Sequence, residues 1–310
     1  MFLGIDTSNY TTSIAVYDTE KGVVQNLKQL LDVKQGQRGL RQSDAVFSHT
    51  VNLPQLIRQL DADMSLIEAV GVSTRPRDAE GSYMPCFLAG KAVAEGIAKA
   101  LDRPLFTFSH QAGHIAAALY SAGKLPLRHE RFIAFHFSGG TSEAVLCTPS
   151  DDTVFACEAV AASLDLKAGQ AIDRAGVMLG LKFPAGRELD ALARLSNKSY
   201  SIKPPFKGYD PSISGLENRC KKMLDSGESR EDIARYAVDF VRCVVDKMSA
   251  DCRARFGDIP LIYAGGVMSN SLISEYISKK FGGSFAAPEF SSDNAAGTAV
   301  LAAIRSGALD

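Results

Sequence analysis

The sequence predicts an α/β protein of two related lobes, and three observations carry the prediction. Short apolar, β-branched runs alternate with longer helical patterns, as in LIEAVGVST, then PCFLAGKAVAEGIAKALDRP, then PLFTFS, which is the signature of sheets buried between helices. At 310 residues the chain exceeds one ordinary core and fits two domains, each large enough to bury a proper interior. Finally, FLGIDTSNYTTSIAVYD at the start is echoed by FIAFHFSGGTSEAVLCT from Phe132, each an apolar strand, a small polar turn and a second strand carrying Thr and Ser. The repeat spacing is close to half the chain, so one lobe duplicated is the expectation.

Composition narrows the function classes. A net charge of -1 argues against a broad electrostatic footprint for DNA, while a local basic strip would still suffice for a structured RNA. Cys86, Cys147, Cys157, Cys220, Cys243 and Cys252 show no CxxC spacing, so they read as reduced thiols filling cores rather than a disulfide framework or zinc ribbon. The chain starts on an apolar strand interrupted by Asp6, without a signal-peptide pattern, and no apolar run reaches membrane-spanning length. A soluble cytoplasmic protein is expected.

Along the chain, Asp6, Thr7 and Ser8 occupy the first hairpin's turn, and Ser138, Gly139, Gly140 and Thr141 the second's. Such turns can aim backbone N–H groups at phosphate oxygens, although Gly and Ser are also ordinary turn residues. Their duplication points to two RNase H-like lobes facing a nucleotide cleft, the actin-like ATPase arrangement shared by actin, Hsp70 and sugar kinases. The expected boundary lies near SAGKLPLRHE, giving lobe I as residues 1–128 with a C-terminal helix over 295–310, and lobe II as residues 129–294.

The segment SHQAGHIAAALYSAG places His110 and His114 at i, i+4 on an alanine-rich helix, where two imidazoles point the same way and can share a metal ion, or be no more than polar residues on a partly exposed face. A zincin protease would need Glu after the first His; Gln111, Ala112 and Gly113 stand between instead. The pair needs a third, harder ligand from elsewhere. Further on, SYSIKPPFKGYDPSISG reads as a long loop, and SREDIARYAVDFVRCVVDKMSADCRARF as one long core helix. In PLIYAGGVMSNSLISEYISKK a buried strand meets a Gly265-Gly266 turn and a helix starting at Ser269 or Asn270, which suits a nucleotide or a plain capped turn. In SFAAPEFSSDNAAGTAVLAAIRSG, Ser292 and Asp293 sit where a final helix begins; Asp293 is either its N-cap or the carboxylate that the histidines lack.

Taken in order, HQAGH, FSGGTS, AGQAIDRAGVMLGLKFPAG, SISGLENRC, YAGGVMSN and PEFSSDNAA resemble, over nearly the whole length, the transferase subunit of tRNA threonylcarbamoyladenosine synthesis, formerly described as an O-sialoglycoprotein endopeptidase. The resemblance implies an actin-like two-lobed fold. It implies a divalent metal (iron or zinc, with magnesium as a further option) held by His110, His114 and Asp293. It also implies an adenine nucleotide or acyl-adenylate contacting Phe137 to Thr141, with Asp173, Gly186 and Asn270 around ribose and base. The reaction would carry a threonylcarbamoyl group from its adenylate to adenosine beside the anticodon of tRNA, assisted by a smaller paralogous subunit and an ATPase helper.

Four departures cluster at these motifs. Asn9 and Tyr10 replace the family's Cys-Asp pair, Ala112 its Glu between the histidines, and Thr141 its His after Gly-Gly, while Arg75, Arg77, Asp78 and Glu80 charge a stretch that the family keeps nearly uncharged. They keep two other readings open: a paralogous carbamoyltransferase acting on a small molecule, and a non-catalytic scaffold subunit of the same fold.

Overall fold

The computed structural model describes residues 1–8, 10–32, 40–292 and 295–309. The opening apolar segments build a five-stranded sheet. β1 (Phe2–Asp6) and β2 (Thr11–Asp18) run antiparallel, with Phe2 opposite Tyr17 and Asp6 opposite Ser13, and β3 (Gly22–Leu30) continues the meander beside β2. α1 (Gln42–Gln59) leads towards β4 (Ala69–Arg75), which pairs parallel with β1, and α2 (Phe87–Leu101) leads to β5 (Leu105–Ser109), parallel with β4. α3 (His110–Ser121) starts where β5 stops. The strand order is β3-β2-β1-β4-β5.

The second sheet repeats the plan. β6 (Phe132–Phe137), β7 (Ser142–Ser150) and β8 (Val154–Ala162) form the meander, followed by α4 (Ala168–Met178), α5 (Gly186–Ala193), a short hairpin of β9 (Phe206–Lys207) and β10 (Asp210–Pro211), α6 (Gly215–Asp225) and α7 (Arg230–Phe256). β11 (Leu261–Ala264) then pairs parallel with β6, and after α8 (Ser271–Phe281) β12 (Ser284–Phe285) pairs parallel with β11. The order β12-β11-β6-β7-β8 is that of the first sheet read from its other edge. The repeat in the sequence is thus a repeat of topology, and both halves are RNase H-like.

The chain divides into two units: Met1–His129 with Thr148–Cys157 and Glu289–Asp310, and Glu130–Cys147 with Glu158–Pro288. In the first unit, strand alternation turns Leu3 and Ile5 towards a core with Leu53, Leu56 and Ala94 of α1 and α2. Phe2 belongs to a core on α9 (Ala296–Arg305), with Ala296, Ala299 and Ala303. With apolar partners on both faces, β1 reads as a continuous apolar run rather than an alternating one. α9 also crosses α3, where a Cβ on Gly297 would lie 1.9 Å from the Gly113 carbonyl oxygen. Only glycine fits there.

The second unit is built on α7. Ser229 caps it, its hydroxyl accepting from the Asp232 N–H, and Ile233, Ala237, Val241, Val244 and Met248 are buried. Phe135, Tyr263 and Phe285 stack across β6, β11 and β12, with ring centroids 4.8 and 4.9 Å apart, and the Tyr263 hydroxyl meets Ser249 at 2.9 Å. The segment expected as a long loop contains the β9–β10 hairpin and is fastened to α7. The Tyr200 N–H donates to Asp239 at 2.8 Å, and Arg242 donates to the Tyr200 carbonyl at 2.9 Å. All six cysteines are free thiols and all but Cys157 are buried. Among the described residues no helix is long and apolar enough to cross a membrane.

Candidate functional site

In the first unit the site grows from the junction of β5 and α3. Ser109 ends the strand in an extended conformation and caps the helix, its hydroxyl accepting from the Ala112 N–H at 3.1 Å. His110 is therefore the first helical residue, and His114 follows one turn later, the two rings meeting edge to face with centroids 4.3 Å apart. Asp6, at the end of β1, reaches the same place from 104 positions earlier in the chain: its Oδ2 lies 2.9 Å from His110 Nδ1. Asp6 is 1% exposed, and its Oδ1 accepts from the Ser8 N–H at 2.9 Å. Burial alone would push this carboxyl up, but the His110 imidazole and hydrogen bonds from Ser73 and Ser8 outweigh it and hold the group well below the usual carboxylate range.

The rest of that turn is equally committed. Thr7 donates to the Cys86 carbonyl at 3.0 Å and accepts from the Gly90 N–H at 3.1 Å, binding the turn to the start of α2. The Ser8 hydroxyl is buried with no partner among the described residues. Tyr10 is exposed, and Ala112 is buried in α3. Arg75 is paired with Asp78 at 2.7 Å, and the Gln111 N–H donates to the Pro76 carbonyl, so the charged segment after β4 abuts the start of α3. Asn9 and Asp293 lie outside the described residues, and among the described residues no three His, Cys, Asp or Glu side chains form a metal-binding cluster. The residues present fit a divalent ion nonetheless: two imidazoles one helical turn apart, one backed by a buried carboxylate, are the nitrogen donors that iron and zinc favour.

In the second unit the expected nucleotide residues gather at the ends of β6 and β11. Phe137 is buried at the end of β6, and the following turn closes on itself. The Ser138 N–H donates to the Thr141 carbonyl at 2.7 Å, and the Ser138 hydroxyl accepts from the N–H groups of Gly140 and Thr141. The start of α4 lies against it, the Gly169 N–H donating to the Ser138 carbonyl at 3.1 Å. Gly265, at φ +95°, brings the end of β11 so close that a Cβ would sit 2.2 Å from the Phe137 carbonyl oxygen, whereas Gly266 opens onto empty space. Asn270, the one of the two expected caps that is used, accepts from the Ile273 N–H at 3.2 Å, and Asp190 takes the Ser271 N–H at 3.2 Å. Several donors at the start of α8 are thereby engaged within the protein.

Asp173 on α4 accepts from the Ala185 N–H at 2.8 Å, and burial raises its carboxyl above the ordinary value despite that bond. Gly186 follows at the start of α5, with nothing near the position that a Cβ would take. Asp173 and Gly186 are thus neighbours, as the motif containing both suggests. Sequence reasoning missed the contact of Asp6 with His110 and the part of Gly169. A strand-end carboxylate far away in the chain gives no signal of the first, while the small residues opening AGQAIDRAG hint at the second.

The tRNA N6-adenosine threonylcarbamoyltransferase (TsaD) family model matches residues 26–300. The chain belongs to that family of transferases. It is 31% identical over 288 residues to a tRNA N6-adenosine threonylcarbamoyltransferase of Sulfurihydrogenibium sp. (strain YO3AOP1), covering 88% of this chain and 80% of that protein. A protein of the same description from Archaeoglobus fulgidus is 26% identical over 277 residues, covering 89% and 80%. Among solved structures, full-length HypF in its phosphate- and nucleotide-bound form is similar with a TM-score of 0.59 and 13% identity, over 99% of this chain and 55% of that one. The activator of 2-hydroxyisocaproyl-CoA dehydratase from Clostridium difficile, with bound ADPNP, gives 0.56 and 13%, over 99% and 97%. A ROK family glucokinase from Streptomyces griseus gives 0.52 and 15%, over 97% and 98%. These likenesses establish the actin-like fold for the family member described here.

Proposed function

We propose that this protein transfers a threonylcarbamoyl group from threonylcarbamoyl-adenylate to adenosine beside the anticodon of tRNA, in a metal-dependent reaction, as the names of its relatives suggest. The observation that carries the reading is the His110–His114 pair backed by Asp6, standing in a chain matched by that family from residue 26 to 300. His110, His114 and Asp293 would hold the ion, which when bound supplies electrophilic stabilisation of the carbamoyl oxygen. Phe137 to Thr141, with Gly265, Gly266 and Asn270, would cradle the adenylate, their backbone groups standing close to phosphate and base. Asp173 keeps Oδ1 on Ala185 and has Oδ2 available to accept from ribose hydroxyls; its raised affinity for protons is offset once hydroxyl donors surround it. The adenylate itself provides the leaving group, AMP, so the protein's task is to hold donor and acceptor in line and keep water away. A smaller paralogous subunit and an ATPase helper would complete the assembly, in the cytoplasm.

The test is incubation of the purified protein, with its small partner, in threonylcarbamoyl-adenylate and unmodified tRNA, followed by mass spectrometry of AMP and modified nucleoside. Modified adenosine that is lost in Asp293→Ala and in His114→Ala is the expected result. The departures at Asn9, Tyr10, Ala112 and Thr141, and the Arg75–Asp78 pair beside α3, favour one second reading, a carbamoyltransferase with a small-molecule acceptor. AMP release that never modifies tRNA would select it. Absence of both products, with stable binding to the small subunit, would leave a scaffold.

A further inference from the structure

We propose that the second unit holds a binding site for a small phosphate monoester, in a cavity between the 199–201 segment, α7 and α8. The cavity has a volume of about 350 Å³ and is lined by charged residues of α7, by Leu272 and Tyr276 of α8, and by the serines on either side of Tyr200. It shares no residue with the His110–His114 site or with the set proposed to cradle the adenylate.

Arg235, Asp239 and Arg242 stand at i, i+4 and i+7 of α7 and so share one face of that helix. Asp239 grips both arginines by the same atom: its Oδ2 accepts from the Arg235 Nε–H and its Oδ1 from the Arg242 Nε–H, each at 2.9 Å. Arg242 also donates through Nη2 to the Tyr200 carbonyl at 2.9 Å, and its guanidinium lies 4.3 Å from the centroid of the Tyr276 ring. The remaining donors decide the chemistry. Both terminal nitrogens of Arg235 and Nη1 of Arg242 make no hydrogen bond among the described residues, although the two side chains are only 18% and 10% exposed. A charged donor largely removed from water is costly without an acceptor, so the cavity has to supply one.

Two guanidinium groups against one carboxylate leave the lining with one positive charge. Lys280 beside Tyr276 adds nothing net, because Asp246 pairs with it at 2.6 Å. Planar forks of N–H donors match the oxygens of phosphate, whose three terminal oxygens can engage both arginines at once. Tyr200 is clamped by its N–H on Asp239 and its carbonyl on Arg242, which sets Ser199 and Ser201 at the cavity with hydroxyls that have no partner among the described residues. Leu272 and the Tyr276 ring give an apolar wall, and the volume is that of a small-molecule site, so the phosphate is expected to carry an organic body. Both guanidinium groups are held in advance, so little side-chain freedom is lost on binding.

The protein would be titrated with phenyl phosphate, and with inorganic phosphate and benzoate for comparison, in chloride buffer. Calorimetry would give affinities, and the Nε–H resonances of Arg235 and Arg242 would report the place of binding. Arg235→Gln is the informative variant, since Asp239 keeps Arg242 and the Tyr200 N–H when Arg235 is gone. Expected are shifts of both Nε–H resonances, tighter binding of phenyl phosphate than of either comparison, and an affinity about 10–100-fold weaker in Arg235→Gln. Arg235→Lys, which keeps the charge and loses the fork, should recover only part of that affinity. Undiminished binding in Arg235→Gln, or binding that leaves the two resonances in place, would overturn the proposal and assign the phosphate to another site such as the Ser138–Thr141 turn. Unmodified tRNA that moves the same resonances and displaces phenyl phosphate one for one would overturn it in favour of an RNA backbone phosphate. Should Arg235→Gln fail to fold, the wild-type resonances decide the matter alone.

Discussion

Taking a carboxylate out of water is costly unless donors replace the solvent, and Asp239 shows how fully this chain supplies them. It is buried, with the Nε–H groups of Arg235 and Arg242 each at 2.9 Å and the Tyr200 N–H at 2.8 Å. Removing it strands Arg242, itself 8% exposed, so Asp239→Ala should lower the unfolding free energy by about 3–5 kcal/mol in urea titrations. Asp165 has the same logic at an exposed position. Partial burial pushes its carboxyl up, yet hydrogen bonds from Ser214, Ile213 and Leu166 bring it below the ordinary value. A group whose folded value is lowered stabilises the fold above its unfolded value of about 3.9 and loses that contribution as pH falls through the lower folded value. The stability gap between wild type and Asp165→Asn should accordingly be present at neutral pH and shrink in acid. Single residues were legible to the extent that their partners were local. The i, i+4 spacing put His110 and His114 on one helix face, but nothing near position 6 in the sequence could announce that Asp6 meets His110, because that contact is made by strand pairing.

At the scale of elements, the crossing of α3 and α9 is decided by absent side chains. Gly297→Ala would drive a methyl group into the Gly113 carbonyl, and because both partners are backbone the strain cannot be relieved by a rotamer change. A loss of about 1–3 kcal/mol is expected, with a lowered melting temperature. Gly265→Ala joins a positive φ to a clash with Phe137 and should cost at least about 2 kcal/mol, whereas Ser109→Ala removes only a cap and should cost about 1 kcal/mol. Calorimetry of the three variants would check that ranking. The long helix and the doubly buried strands could be read from the sequence because each bears many residues of one period. The β9–β10 hairpin could not, since a ladder of two residues on each side leaves no period to detect.

For the molecule as a whole, the echo between the two opening hairpins proved to be a repeat of strand order, meander first and parallel strands after. That much was legible because hairpins are local and carry their turn residues with them. α9, which follows the whole second sheet in the chain, completes the first unit, packing on β1, β2 and β4 and crossing α3. On the ribosome this arrangement has a temporal meaning. Residues 132–285 supply the strands of the second sheet, together with the helices between them, and all emerge before α9, so the second unit has its parts while the first still lacks the helix that covers Phe2. β1, made before the second sheet, is then among the last elements to find its final packing. Until α9 arrives, the face bearing Phe2, Ala15, Tyr17 and Ala69 stays wet, and a nascent chain stalled before Ala296 should remain open to proteases in its first unit after its second has become resistant.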